Sequence, residues 1–177
     1  MSLAVIILAA GIGKRMKSDT PKVLHPVLGQ PMLKYVVEAV AKLSPKRIVV
    51  VVGHGAVEVE KALNSKEITY VTQNEQLGTG HAANCAHSAL KSFKGDVLIL
   101  NGDFPLIAPS TLKKFVNEHK KKKADVSILT ALVDDPTGYG RIKRDEGDNV
   151  VGIVEQKDAT KEERFIDEIN SGTYCVK

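Results

Sequence analysis

Short runs of aliphatic and β-branched residues recur along the chain at residues 4–8, 48–52, 68–71, 97–100, 126–133 and 150–154, each bounded by Gly, Pro, Asp or Asn. Most are continuous rather than alternating. Continuous runs predict strands covered on both faces, as in a parallel sheet with helices above and below. Between them, Met32, Leu33, Val36, Val37, Val40 and Leu43 fall on one helical stripe, and Ala82, Ala83, Ala86, Ala89, Leu90 and Phe93 on another. A further amphipathic stretch with Leu112, Phe115 and Val116 runs into Lys120 to Lys123, which suit the negative end of a helix dipole. The order is strand then helix, repeated. It predicts an α/β three-layer sandwich built on a mostly parallel, Rossmann-like sheet with right-handed crossovers. A last apolar stretch, residues 169–176, predicts another strand with no helix after it, so the expectation is one domain over residues 1–177 that is incomplete at its C-terminal end.

Composition narrows the class. With 177 residues, 43% of them hydrophobic, the chain has room for one well-buried core. No segment has the run of about eighteen apolar residues a membrane span needs, and residues 3–10 lack a signal-peptide pattern, so the expectation is a cytoplasmic protein with no membrane partner. The net charge of +4 is spread among 21 acidic residues without a basic arm, which argues against nucleic acid as a partner. Cys85 and Cys175 have no paired spacing and are expected to be buried, reduced thiols. His25, His54, His81, His87 and His119 share no metal-ligand spacing and lie near no nucleophile elbow, so none is assigned to chemistry.

Candidate chemistry begins after the first strand, because ligands of open α/β sheets sit beyond the carboxyl ends of the strands. Leu8-Ala9-Ala10-Gly11-Ile12-Gly13-Lys14-Arg15-Met16 combines small residues, whose N–H groups can approach an anion, with adjacent cations. A Walker loop would need Ser or Thr after Gly-Lys, and a dinucleotide fingerprint would need a third Gly where Met16 stands; neither is present. A plain strand-to-helix turn would also use these glycines. Pro21-Lys22 supplies a further cation close by in sequence, and converging cations are what phosphoryl and nucleotidyl transfer require.

The run from Leu8 to Met16, followed by Pro21-Lys22-Val23-Leu24-His25 and Gly29-Gln30-Pro31-Met32, resembles the N-terminal uridylyltransferase domain of bacterial N-acetylglucosamine-1-phosphate uridylyltransferases, of the nucleotide-diphospho-sugar transferase type. The similarity continues through residues 73–82, Asn101-Gly102-Asp103-Phe104-Pro105-Leu106, Gly138-Tyr139-Gly140-Arg141-Ile142, Glu155-Gln156-Lys157-Asp158-Ala159 and Asn170-Ser171-Gly172, covering essentially the whole chain. The first loop alone marks only the wider superfamily. The later blocks in order make it specific.

The resemblance implies that Leu8, Ala9, Ala10 and Gly11 run alongside the uridine nucleotide, with Arg15 and Lys22 as the catalytic cations on its phosphates. It implies that Gln73 reads the uracil edge, that Gly78 and Thr79 contact the nucleotide, and that Asp103, in the stretch with Asn101 and Gly102, holds Mg²⁺. Many relatives carry an aromatic residue where Asn101 stands. Gly140, Glu155 and Asn170 match positions that contact the N-acetylglucosamine moiety. Amide and carboxylate groups bond hydroxyls well, in keeping with a sugar site.

The reaction so implied is attack by the phosphate of N-acetylglucosamine 1-phosphate on the α-phosphorus of UTP, giving UDP-N-acetylglucosamine, a cell-wall precursor, and pyrophosphate. The attacking phosphate is already an anion, so no strong general base is needed. Alternatives are a nucleotidyltransferase of other specificity, or a truncated nucleotide-binding module with little turnover. In the resembling proteins a second metal-binding Asn and a C-terminal β-helical acetyltransferase domain lie beyond the position matching residue 177. The parent is expected to be a homotrimer held largely through that β-helix.

Overall fold

The computed structural model describes residues 2–11, residue 13 and residues 16–177. Along the chain run β1 (Leu3–Ala9), the short strands β2 (Pro26–Val27) and β3 (Gln30–Pro31), α1 (Met32–Ala41), β4 (Arg47–Val52), α2 (Ala56–Leu63), β5 (Ile68–Thr72), α3 (Thr79–Cys85) and α4 (His87–Leu90). There follow β6 (Asp96–Asn101), α5 (Pro109–Lys122), β7 (Val126–Leu132), β8 (Arg141–Arg144), β9 (Val150–Val154) and β10 (Glu168–Val176). They fall into two compact units, one of Met1–Val126 with Cys175–Lys177, the other of Ser127–Tyr174.

In the first unit, β5, β4, β1 and β6 lie side by side in that order, all parallel. The register sets Ile6 beside Val49 and Ile99, and Ile7 beside Val50 and Leu100. Side chains alternate along a strand, so these two rows face opposite sides of the sheet. One row packs with Ala82 and Ala86 of the α3–α4 stretch. The other row, with Val5, Val52 and Leu98, is fully buried and leaves the buried stripes of α1 (Leu33, Val36, Val40) and α5 (Leu112, Val116), which touch each other, to cover that side. Helix, sheet and helix make the three layers expected here. Each fully buried Leu, Ile or Val contributes roughly 1.5–3 kcal/mol relative to exposure, so this sheet is the unit's source of stability.

The second unit is antiparallel. β8 pairs β9 on one side and β10 on the other, and β7 pairs β10. Val150, Val151 and Ile153 of β9 are exposed, as is Leu132 of β7. The expectation of strands covered on both faces therefore fails for this unit, because antiparallel strands joined by short connections acquire no crossover helices to cover them.

Other boundaries also differ from the expectation. The stripe through Ala82–Phe93 is two short helices, since Ala86 ends α3 and the chain resumes at His87. Hydrophobic spacing does not predict α2, because Ala56–Leu63 buries only Val59 fully and carries charge at Glu58, Glu60 and Lys61. Nor does it predict β8: Arg-Ile-Lys-Arg reads as a charged segment, although Arg141 is buried. Cys85 is half-buried rather than buried, while Cys175 is fully buried, and both are free. The lysines after Val116 do end α5, with Lys123 capping it in the left-handed conformation. No described helix is long and apolar enough to cross a membrane.

Candidate active site

The parallel sheet reverses its winding between β1 and β6, and a crevice at such a point, beyond the carboxyl ends of the strands, is where open α/β sheets bind ligands. The candidate residues of the first unit gather there. Gly102 N–H, just past β6, donates to the carbonyl of Leu8 at 2.8 Å, so Asn101-Gly102-Asp103 lies directly beside Leu8-Ala9-Ala10-Gly11. Ala9 and Ala10 are buried, Leu8 half-buried and Gly11 exposed, so the segment rises from the core to the surface within four residues.

Lys22 opens a 3-10 turn, Lys22–Leu24, whose Val23 is buried. The Lys22 ammonium forms an ion pair with Oδ2 of Asp103, with the side chains 40% and 29% exposed respectively. Gly13 folds against this lysine at φ +65°; a Cβ there would stand only 2.7 Å from the Cβ of Lys22. The glycine is thus required by conformation and by space. Arg15 and the neighbouring Lys14 lie outside the described residues, so the site is described without them.

A third loop closes on the first. Gln76 donates from Nε2 to the carbonyl of Ala10 at 2.9 Å, tying the segment after β5 to the segment after β1. Gln73, expected to read the uracil edge, is 5% exposed. Its Nε2 donates to the carbonyl of Gly78 at 3.2 Å and stands 2.9 Å from Nδ1 of His81. Gly78 is the N-cap of α3 at φ +98°, a conformation that favours glycine, and Thr79 is the first helical residue. Leu8–Gly11, Lys22, Gln73, Gly78, Thr79 and Asn101–Asp103 therefore belong to one constellation in the first unit. His81, assigned to no chemistry from its sequence, and Gln76, given no role there, are set against Gln73 and Ala10 by the fold.

Gly140, just before β8, Glu155, just after β9, and Asn170, on β10, come together within the second unit. The Asn170 N–H donates to the carbonyl of Gly140 at 2.8 Å, and a Cβ on Gly140 would lie 3.1 Å from Oε1 of Glu155. The Asn170 side chain donates to the Tyr174 hydroxyl at 2.7 Å and accepts from the Gly172 N–H at 3.0 Å. Glu155 is exposed. Beneath them Arg141, 1% exposed, donates to the carbonyl of Tyr139 and, at 2.7 Å, to Oε1 of Gln156, which also accepts from the Gly138 N–H at 3.1 Å. This buried cation knits the turn carrying Gly140 to the turn carrying Glu155. It is a supporting residue to which the motif Gly138-Tyr139-Gly140-Arg141-Ile142 by itself assigns no role.

Among the described residues no group of three or more His, Cys, Asp or Glu side chains could hold a metal by itself. Asp103 stands as a single carboxylate, the donor number a magnesium ion uses when phosphates and water complete its shell.

Residues 5–145 match the MobA-like NTP transferase domain. The chain is 54% identical over 170 residues to the bifunctional protein GlmU of Bacillus licheniformis, covering 96% of this chain and 37% of that protein. It is 55% identical over 174 residues to the bifunctional protein GlmU of Caldanaerobacter subterraneus subsp. tengcongensis, covering 98% and 38%. It therefore spans a little over a third of the length of these relatives. Among solved structures, HddC from Yersinia pseudotuberculosis superposes with a TM-score of 0.76 at 27% identity, over 98% of this chain and 76% of that one. The fold is the Rossmann-like α/β fold of nucleotidyltransferases. By the match across most of its length, the chain belongs to the MobA-like NTP transferase domain family.

Proposed function

We propose that this chain transfers a uridylyl group from UTP to N-acetylglucosamine 1-phosphate, giving UDP-N-acetylglucosamine and pyrophosphate. The observation that carries this reading is the convergence of Lys22 and Asp103 beside Leu8–Gly11 at the point between β1 and β6 where the sheet's winding reverses. The close likeness to proteins named GlmU supports the choice of nucleotide and sugar.

In this reading the first unit binds the nucleotide. Leu8 to Gly11 pass along it, Gln73 and Gly78 meet the base with Thr79 beside them, and Lys22 neutralises charge on the phosphates. Arg15 would add a second cation. The acceptor phosphate oxygen forms a bond to the α-phosphorus in line with the bond to the departing pyrophosphate, which breaks with its electron pair leaving on oxygen. No proton need be removed from the nucleophile, so no general base is assigned. Asp103 would hold a divalent cation, Mg²⁺, which when bound supplies charge neutralisation at the phosphate oxygens. The Lys22 ammonium pairs with one oxygen of that carboxylate, so the cation and the carboxylate are held side by side. In the second unit, Gly140 lets Glu155 pack close against the backbone, and Glu155 and Asn170 bond the hydroxyl and amide groups of the sugar. A trimeric parent and a cytoplasmic location are part of the same proposal.

The test is pyrophosphate release by the 177-residue chain with UTP, CTP, GTP or dTTP against N-acetylglucosamine 1-phosphate or glucose 1-phosphate, each with Mg²⁺. The expected result is highest kcat/KM for UTP with N-acetylglucosamine 1-phosphate. Preference for another pair would overturn the assignment, and binding of UTP without turnover would instead support a nucleotide-binding module.

A further inference from the structure

Gln73 stands at the end of β5 with a side-chain amide that has almost no access to solvent. A backbone carbonyl can only accept, so the atom 3.2 Å from the Gly78 oxygen is the amide nitrogen, and the orientation of the amide follows. Gly78 is itself fixed, since its carbonyl also accepts from the Ala82 N–H at 3.0 Å in the first turn of α3. The second hydrogen on Nε2 is directed at Nδ1 of His81, 2.9 Å away. That ring nitrogen must be the bare acceptor, with the imidazole proton on Nε2. Both amide hydrogens of Gln73 are then committed inside the protein. Its Oε1, an acceptor and nothing else, is the function left to meet a ligand.

We propose that His81 is a positioning residue for base discrimination: by accepting the second amide hydrogen of Gln73, it leaves a lone carbonyl oxygen facing the base. Such a site selects a base with an N–H at the ring position it meets. The imide N3–H of uracil satisfies it, whereas N3 of cytosine is itself an acceptor and would face oxygen against nitrogen with no hydrogen between them. A site that pairs with a hydrogen-bonding group rejects an analogue lacking it more strongly than an apolar pocket rejects a size difference. The inference rests on the proposed reading of Gln73 as the residue that meets the base.

The experiment measures Kd for UTP and for CTP, each with Mg²⁺, by calorimetry, so it does not depend on turnover. His81→Phe keeps the ring but removes the acceptor, freeing one amide hydrogen to serve cytosine N3; the CTP-to-UTP Kd ratio is expected to fall on the order of tenfold. His81→Asn, whose carbonyl oxygen can occupy the place of Nδ1, is expected to restore the ratio. Thermal melts report whether each variant is folded, and His81→Leu carries the same expectation as His81→Phe should the latter fail to fold. Gln73→Ala separates the two levels of the argument. If it abolishes the discrimination while His81→Phe and His81→Leu retain it, the role of His81 is overturned and that of Gln73 stands. If Gln73→Ala leaves the ratio unchanged, both are overturned.

Discussion

The ammonium of Lys22 and Oδ2 of Asp103 form an ion pair, although one belongs to the turn that follows the first loop and the other to the loop that follows β6. Both side chains are partly open to solvent, so the pair itself adds little to stability, about 0–1 kcal/mol. Its importance is positional: it presets a cation and a carboxylate next to each other where phosphates and a divalent ion are proposed to meet. Lys22→Ala is expected to lower kcat/KM for UTP by about 100-fold, the scale seen when one charge-stabilising donor is removed from a transition state. The melting temperature should hardly change. Pyrophosphate release at the wild-type rate would remove Lys22 from the mechanism.

Gly13 presses on the same lysine. An alanine there would carry a Cβ 2.7 Å from that of Lys22 at a backbone φ of +65°. Gly13→Ala is therefore expected to cost on the order of 1–3 kcal/mol locally and, because the lysine must shift, to raise the KM for UTP. Kinetics beside a thermal melt check this; an unchanged KM would show that the loop relaxes without moving Lys22.

Arg141 is buried and donates to neutral acceptors on both of the turns it joins. Arg141→Met would remove the charged donor from the Tyr139 carbonyl and leave the Gln156 amide oxygen with the Gly138 N–H alone, and a hydrogen bond from a charged group is worth about 1.5–3 kcal/mol. Urea unfolding should show the loss. If the support is also functional, KM for the sugar phosphate rises while KM for UTP stays near its wild-type value; equal changes in both would mean that Arg141 does not act on Gly140 and Glu155 in particular.

Glu168 at the start of β10 accepts from Arg144 at 2.7 and 2.8 Å. That bidentate pair, with Thr130 assisting, holds the Glu168 carboxyl below its ordinary value of 4.5. A lowered folded-state pKa gives stability that is fully present above 4.5 and is lost as pH falls through the folded value. Glu168→Gln should therefore be less stable than the wild type near neutral pH, with the difference closing at acid pH. A gap that persists undiminished to pH 2 would refute this origin.

The two cysteines should differ in reactivity. Burial, with the Asp96 carboxylate adding to it, pushes the Cys175 thiol up to about 12, while Cys85 is half-buried. Iodoacetamide at mildly alkaline pH should modify Cys85 first and reach Cys175 only when the chain unfolds, since the thiolate is the reactive form. Mass spectrometry of peptides from briefly treated protein distinguishes the two.

Continuous apolar runs made β1, β4 and β6 legible, because a strand buried on both faces writes its burial into nearly every position. Strand β8 was illegible for the complementary reason: its first residue, Arg141, is buried through hydrogen bonds that hydrophobic patterning does not register. The single helix expected over Ala82–Phe93 failed at Ala86, where an alanine stripe gives no sign of a break. Lys22, Asp103, Gly140, Glu155 and Asn170 could be nominated from motif resemblance, and the fold gathers them into one cluster in each unit.

By itself the sequence determined the strand-and-helix order, the parallel core and the residue types available to hold phosphates, since hydrophobic spacing and side-chain chemistry are local properties. Only the tertiary structure decided what those residues touch. That Lys22 meets Asp103 and that the Gln76 amide meets the Ala10 carbonyl are relations between separate loops. They arise because strands distant in sequence end at one edge of the sheet, and the direction of an amide depends on the acceptors that surround it.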